Sequence, residues 1–460
     1  MSKYDLIVIG SGPAGEKAAI QSAKLDKRVL MVERRESPGG NSLHTGTIPS
    51  KTLRESVRFI STMRQRAIYG INVRVDKDLT VDRLMHRKNA AIVSLSERLE
   101  SSFERNQVEQ AFGSATFLDP HRIEVRQPQG NVEIYEGEHF VIATGSRPYR
   151  PDFLDFTHER IRDSDTILGM HHIPRTLTII GAGVIGCEYA TIFSNLGVKV
   201  NLVNPRKILL DFLDLEMSNA LGFLMRENGV RIRLGEDLQG VTTDEHFVYA
   251  HTESDKVIKS DVLLFANGRT GNTDNLGLEN IGIAPNSRKQ LEVNAFYQTS
   301  VPHVYAVGDV IGFPALASTS MEQGRMAALH CFGEVTTPPL KHLLPTGIYT
   351  IPEISMVGST EEQLTQQKVP YEVGAATYRE IARGQIVGNT TGRLKLLFHR
   401  ESLKLLGVHI IGDQATEMIH IGQTVMAFDG SIEFFINQVF NYPTYSECYR
   451  VAALNGVNRL

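Results

Sequence analysis

Leu6-Ile7-Val8-Ile9-Gly10-Ser11-Gly12-Pro13-Ala14-Gly15 joins four apolar residues to a run of glycines. The apolar run reads as a strand. The three glycines have separate tasks. Gly10 permits a tight turn, Gly12 lets a pyrophosphate approach the backbone, and Gly15 lets the next helix pack closely on the strand. A helical stretch from Glu16 to Leu25 and a second apolar strand from Val29 to Glu33 complete a βαβ unit. The helix N-terminus favours phosphate charge. Glu33 ends the second strand, where it can accept hydrogen bonds from a ribose. Arg34 follows it as a further candidate contact.

The unit recurs. Leu177-Thr178-Ile179-Ile180 precedes Gly181-Ala182-Gly183-Val184-Ile185-Gly186, then come a helix and the strand Val198 to Asn204. Gly10 to Glu33 and Gly181 to Asn204 both span 23 positions. Two fingerprints of this kind imply two dinucleotide sites. Their last residues differ. An acid such as Glu33 favours a free 2′-hydroxyl, whereas an arginine accommodates a 2′-phosphate. Neutral Asn204 with Arg206 excludes neither, so the second site is expected to take both NAD and NADP.

Outward from these units, helices are expected over Pro49 to Arg66 and Val81 to Asn106, and strands between Ala111 and Ile142. Ala143-Thr144-Gly145 closes that region, and Arg147-Pro148-Tyr149-Arg150-Pro151 reads as a crossover. Ala266-Asn267-Gly268-Arg269 ends the second unit in similar fashion. From Leu340 onward the glycine motifs stop. Strands are expected at Glu353 to Val357, Arg393 to Phe398 and Leu405 to Ile410, with helices at Glu417 to Phe428 and Ile432 to Gln438. The expected organisation is α/β: 1–150 and 273–340 form one dinucleotide-binding domain, 151–272 a second, and 341–460 an α+β third.

Composition narrows the classes. The 460 residues carry 48 Lys+Arg against 52 Asp+Glu, a formal net charge of −4. A nucleic-acid or anionic-membrane surface needs a basic excess, so neither is expected as a partner. No apolar run approaches a membrane span, and Met1 to Asp5 runs into a strand without a leader-like segment. The three cysteines, Cys187, Cys331 and Cys448, are too few and too scattered for a disulfide framework or a metal site, and a cytoplasmic home is expected. Glu417 and His420 have the spacing of half a carboxylate-bridged metal site, but no second copy exists, and no metal is expected.

Gly39-Gly40-Asn41-Ser42-Leu43-His44-Thr45-Gly46-Thr47-Ile48-Pro49-Ser50-Lys51 resembles the flavoprotein disulfide reductases, such as lipoamide dehydrogenase, glutathione reductase and mercuric reductase. Ala143-Thr144-Gly145 and Thr299 to Asp309 resemble further segments of that family. The resemblance spans the chain and implies an FAD domain, an NAD(P) domain and a C-terminal dimerisation domain. It implies a homodimer or higher oligomer. It also implies that Gly39, Gly40, Ser42, Thr47, Thr144, Gly145, Gly268, Gly308, Asp309 and Ala317 join the glycine turns in holding cofactor. Lys51 and Glu188 match an ion pair beside the flavin N5.

Two family features are altered. The redox disulfide uses cysteines separated by four residues, and here those positions are Ser42 and Thr47, which cannot form it. The acid/base histidine of the C-terminal motif is replaced in Tyr442-Pro443-Thr444-Tyr445-Ser446-Glu447 by Tyr442, a phenol with a reference pKa of about 10. Within the family the chain looks most like the soluble pyridine nucleotide transhydrogenases, through segments such as 266–273, 345–353 and 449–456. That subgroup commonly keeps a first cysteine where this chain has Ser42.

The expectation is therefore an FAD enzyme that moves a hydride from NADPH to NAD through one nucleotide site, with Lys51 and Glu188 catalytic. One alternative is an NAD(P)H-dependent reductase or oxidase acting on a quinone, dioxygen or a metal ion. Another is a catalytically silent flavin-binding or redox-sensing protein.

Overall fold

The computed structural model describes residues 3–65, 79–335 and 343–460. The expected boundary at 340–341 and the last residue of the helix expected over Pro49 to Arg66 lie outside the described residues.

The first apolar run forms the strand Lys3–Ile9 at the centre of a parallel sheet. On one side lie Val29–Glu33 and then Glu109–Phe112. On the other lies Val132–Ile142, followed by Val304–Ala306, which returns to this sheet after a long excursion. Val132–Ile142 serves two sheets in one. Its N-terminal half also pairs antiparallel with Arg122–Arg126, which in turn pairs with Ser114–Asp119. Both faces of the parallel strands are covered by apolar clusters.

The second unit repeats this order. Thr176–Ile180 is flanked on one side by Lys199–Asn204 and Arg231–Leu234, on the other by Val262–Phe265 and Ile161–Asp163, all parallel. A separate three-stranded antiparallel sheet lies beside it, as the meander does in the first unit. The chain leaves the first unit through Ser146–Pro148 and comes back through Arg269–Gly271, and these two short strands pair antiparallel.

The third region is a five-stranded antiparallel sheet: Thr346–Ile348, Ile354–Gly358, Leu405–Ile411, Arg393–His399 and Tyr371–Thr377. The helices Ala415–Ala427 and Glu447–Val457 pack on it. Ile348, Ile354 and Ile411 join the core of the second unit and of the long helix Thr47–Gln65.

Some expected elements are revised. The polar helix expected over Val81 to Asn106 is two helices, Val81–Leu84 and His86–Arg105, the first capped by the Thr80 hydroxyl on the Arg83 N–H. The strand expected from Glu353 begins at Ile354. The Glu353 carboxylate is buried and holds Arg54 at 2.9 Å and the Thr416 hydroxyl at 2.9 Å. No described helix is long and apolar enough to cross a membrane.

Candidate active site

The glycine turns are the same object built twice. Gly10 and Gly181 both have φ +104, a conformation that suits glycine. A Cβ on Gly15 would lie 1.8 Å from the Gly10 carbonyl oxygen, and one on Gly186 would lie 1.8 Å from that of Gly181. Helix and turn are thus in backbone contact in both units. The middle glycines differ in kind. A Cβ on Gly183 would meet nothing within 4 Å, and one on Gly12 would meet only the Gly40 Cα at 3.9 Å. The protein's own packing does not require glycine there. It leaves open a cradle over the N-termini of the helices Pro13–Ala23 and Val184–Asn195.

A cavity of about 1100 Å³ runs from the first turn across to the second helix and the third region. Of the expected site residues, Gly10, Gly12, Glu33, Arg34, Gly40, Ser42, Thr47, Lys51, Thr144, Gly145, Glu188, Gly308, Asp309 and Ala317 line it. Gly15 and Gly39 shape it from behind. Gly39, at φ +116, begins the short helix Gly40–His44, and a Cβ there would strike Leu43. Gly181, Gly183, Gly186, Asn204, Arg206 and Gly268 lie outside its lining, the first five around the second turn.

Lys51 and Glu188 come together across 137 positions. The Lys51 Nζ is 3.0 Å and 2.8 Å from the two carboxylate oxygens. The Glu188 side chain is only 6% exposed, and its Oε1 also accepts the Tyr349 N–H at 2.9 Å. The Tyr349 ring lies under the ammonium, its centroid 5.0 Å from Nζ. The charge is therefore fixed at the wall by three elements far apart in sequence.

Asn204 departs from expectation. Its Oδ1 accepts the Ala182 N–H at 3.1 Å, and its Nδ2 donates to the carbonyls of Arg206 at 3.0 Å and Ile208 at 3.4 Å. It is buried and knits the loop to the glycine turn instead of facing outward. Arg206 is exposed and ion-paired with Asp211.

Arg35, Thr45 and Asp165, which the sequence reading missed, also line the cavity, beside the expected Thr144. Arg35 Nη1, Thr45 Oγ1 and Thr144 Oγ1 are buried polar atoms without a hydrogen-bond partner, and all three residues are on the wall. Unpaired buried polar atoms are costly in a protein interior. Here they mark where a polar ligand completes the site. Asp165, on the same wall, has its carboxyl pushed above the usual range by burial, against the opposing pull of Arg269. The Arg269 guanidinium bonds the Ser146 hydroxyl and carbonyl, both at 2.8 Å, and the Ser146 hydroxyl donates to Asp309 at 2.8 Å. Asp309, matched by resemblance alone, is thus oriented by the ribbon that links the two units. The open cradles, the orphaned polar atoms and the cavity's extent fit an extended dinucleotide such as FAD.

The thiols stand apart. Cys187, Cys331 and Cys448 are unpaired. Burial raises all three, Cys331 and Cys448 to about 12, which makes them poor nucleophiles. Tyr442 is 69% exposed on the third region. The acidic group Asp214, Glu216 and Glu361 surrounds the buried Lys395 ammonium, which ties the second unit to the third region.

The chain matches the family Pyridine nucleotide-disulphide oxidoreductase over residues 4–324 and that family's dimerisation domain over 344–453. It is 52% identical over 461 residues to the soluble pyridine nucleotide transhydrogenase of Shigella flexneri, covering 99% of this chain and 98% of the relative. It is 51% identical to the protein of that name from Hahella chejuensis, covering 100% and 99%. Among solved structures, the Cu(II) complex of the HOCl-induced flavoprotein disulfide reductase RclA from Escherichia coli superposes with a TM-score of 0.89 at 28% identity, covering 99% of both chains. LpdA from Mycobacterium tuberculosis, at 23% identity and a TM-score of 0.91, shares the fold over 99% of both chains. With both family regions matched and a cavity of the right extent between the two glycine turns, the chain belongs to the pyridine nucleotide-disulphide oxidoreductases.

Proposed function

We propose that the protein is an FAD-dependent NAD(P) transhydrogenase that passes a hydride between NADPH and NAD without a redox disulfide. One observation carries this reading. The Lys51–Glu188 pair stands intact on the cavity wall, while Ser42 and Thr47 line the same cavity at the positions of the family's cysteines. The names of the relatives from Shigella flexneri and Hahella chejuensis support it.

When bound, FAD supplies a ring that accepts a hydride from one nucleotide and yields it to the next. The chain's own residues hold and polarise. Gly12 and Gly183 leave their turns open to pyrophosphate, and the helices behind them present N–H groups to it. Glu33, Arg34, Gly40, Thr144, Gly145, Gly308, Asp309 and Ala317 hold the cofactor, with Arg35, Thr45 and Asp165 beside them. Lys51 places a positive charge where negative charge develops, and Glu188 keeps it from swinging away. Ser42 and Thr47 bind but store no electrons, so no thiol pair competes with the second nucleotide. NADPH and NAD use the second glycine turn in succession.

We take 1–150 with 273–340 as the flavin unit, 151–272 as the nucleotide unit and 341–460 as the dimerisation unit of a cytoplasmic homodimer or higher oligomer. The match to a dimerisation domain and the three unpaired thiols support this. The test is to mix the purified yellow protein with NADPH and a thio-analogue of NAD. Reduction of the analogue is expected, and none with flavin bound overturns the reading. A second reading, an NAD(P)H-dependent reductase of a quinone, dioxygen or metal ion, draws on the likeness to RclA, whose structure holds Cu(II). Faster turnover with those acceptors than with the analogue would favour it.

A further inference from the structure

The loop after the strand Lys199–Asn204 is held more firmly than its exposure suggests. Asn204 bonds the carbonyls of Arg206 and Ile208 from inside. The Arg206 carbonyl also accepts the Gly235 N–H at 3.2 Å. Leu210 is buried with φ +46, an uncommon conformation for a leucine, and its N–H donates to the Ala182 carbonyl at 3.1 Å. That left-handed residue turns the chain back on itself. The reversal brings Asp211 to Arg206, and the two form an ion pair with side chains 47% and 65% exposed.

We propose that Asp211 is a built-in counter-ion that sets the nucleotide preference of the second site. The proposal rests on the transhydrogenase reading and deepens it. A site that must accept NADPH and then NAD faces a charge problem. Its arginine is needed for the 2′-phosphate and is left unopposed when that phosphate is absent. Asp211 occupies Arg206 in the second case and yields it in the first. An exposed pair of this kind is weak, so a phosphate carrying more charge and a bidentate fork displaces it. Asp211 thereby weakens NADPH binding and brings the two nucleotides closer in affinity. The strained turn at Leu210 is spent on placing a carboxylate opposite a cation, a use consistent with strain gathered at functional loops.

The test uses the purified yellow holoenzyme and its variants Asp211→Asn, Arg206→Gln and the double variant. The KM values of NADPH and NADH are measured against a saturating thio-analogue of NAD. Asp211→Asn is expected to lower the ratio of the NADPH KM to the NADH KM by about three- to five-fold, the scale of one exposed ion pair. Arg206→Gln raises that ratio, and the double variant matches Arg206→Gln because Asp211 acts only through Arg206. The Asp211→Asn effect shrinks in high salt. An unchanged ratio in Asp211→Asn overturns the proposal. So does an effect that persists in the Arg206→Gln background, which would mean direct repulsion of the phosphate. If the unaltered protein moves no hydride from NADPH to the analogue, the transhydrogenase reading fails and takes this role with it. If it does so while the ratio in Asp211→Asn stays put, the counter-ion role alone fails.

Discussion

Ser11 and Ala182 occupy the same place in two copies of one turn. In each copy the N–H is taken by the last side chain of the second strand, Glu33 in the first and Asn204 in the second. A carboxylate only accepts, and Glu33 collects donors: the Ser11 N–H and hydroxyl, and the Arg35 N–H. An amide also donates, and Asn204 uses that capacity to bind two carbonyls of its own loop. The first turn therefore opens into an interior lined with unpaired polar atoms. The second is knitted to a loop whose charges, Arg206 and Asp211, lie at the surface. One design suits a group that stays, the other a group that comes and goes.

The sharpest way to separate the two turns is to fill their third glycines. Gly15→Ala and Gly186→Ala each place a methyl against a backbone oxygen, a clash expected to cost about 3 kcal/mol or more. The first is expected to yield colourless protein. The second is expected to stay yellow but resist bleaching by NADPH. Absorbance spectra of the purified variants decide it, and identical behaviour of the two would break the comparison.

Lys51→Met comes next. It leaves the Glu188 carboxylate buried without its cation, and a loss of roughly 3 kcal/mol is expected, the lower end for a broken buried pair. The rate of flavin bleaching should fall by about 100-fold through loss of the fixed charge. Stopped-flow absorbance and thermal melting read the two effects.

Asn204→Asp tests the difference between amide and acid directly. A carboxylate would face the Arg206 and Ile208 carbonyls without a proton to offer, at a cost of about 2 kcal/mol. The KM is expected to rise for NADH and NADPH together, because the loop loosens as a whole. A rise confined to NADPH would return Asn204 to the role of a direct nucleotide contact.

Cys187→Ser carries the smallest effect. The thiol is buried and donates weakly to the Ala182 carbonyl at 3.4 Å. A destabilisation of about 1 kcal/mol is expected, with the flavin taking up the same number of electrons in an anaerobic titration. Fewer electrons in the variant would show that this thiol is redox-active.

The glycine turns were legible because their spacing is local: turn, helix and strand lie within one βαβ unit, and each glycine is explained by its neighbours. Lys51 and Glu188 were legible only through resemblance, since 137 positions separate them. The inward turn of Asn204 was not legible. It depends on where the Arg206 and Ile208 carbonyls lie, and no pattern of residue types announces the course of that loop. Tyr349 and Arg269 were missed for a related reason. Their partners, Glu188 on a helix and Ser146 on the paired outgoing strand, lie 161 and 123 positions away, and no periodicity within a strand encodes that meeting. The buried Lys395 meets Asp214 across 181 positions and was equally silent.

Ser146–Pro148 and Arg269–Gly271 carry a consequence for how such a chain could arise. The outgoing and returning segments are hydrogen-bonded neighbours, so their backbones lie about 5 Å apart. Everything between them leaves and re-enters the first unit at one place. A copy of the first unit's gene segment could be spliced into a surface loop of its own template without moving the template's remaining strands. Val304–Ala306 still finds its place beside Val132–Ile142, as though the intervening length had never been added.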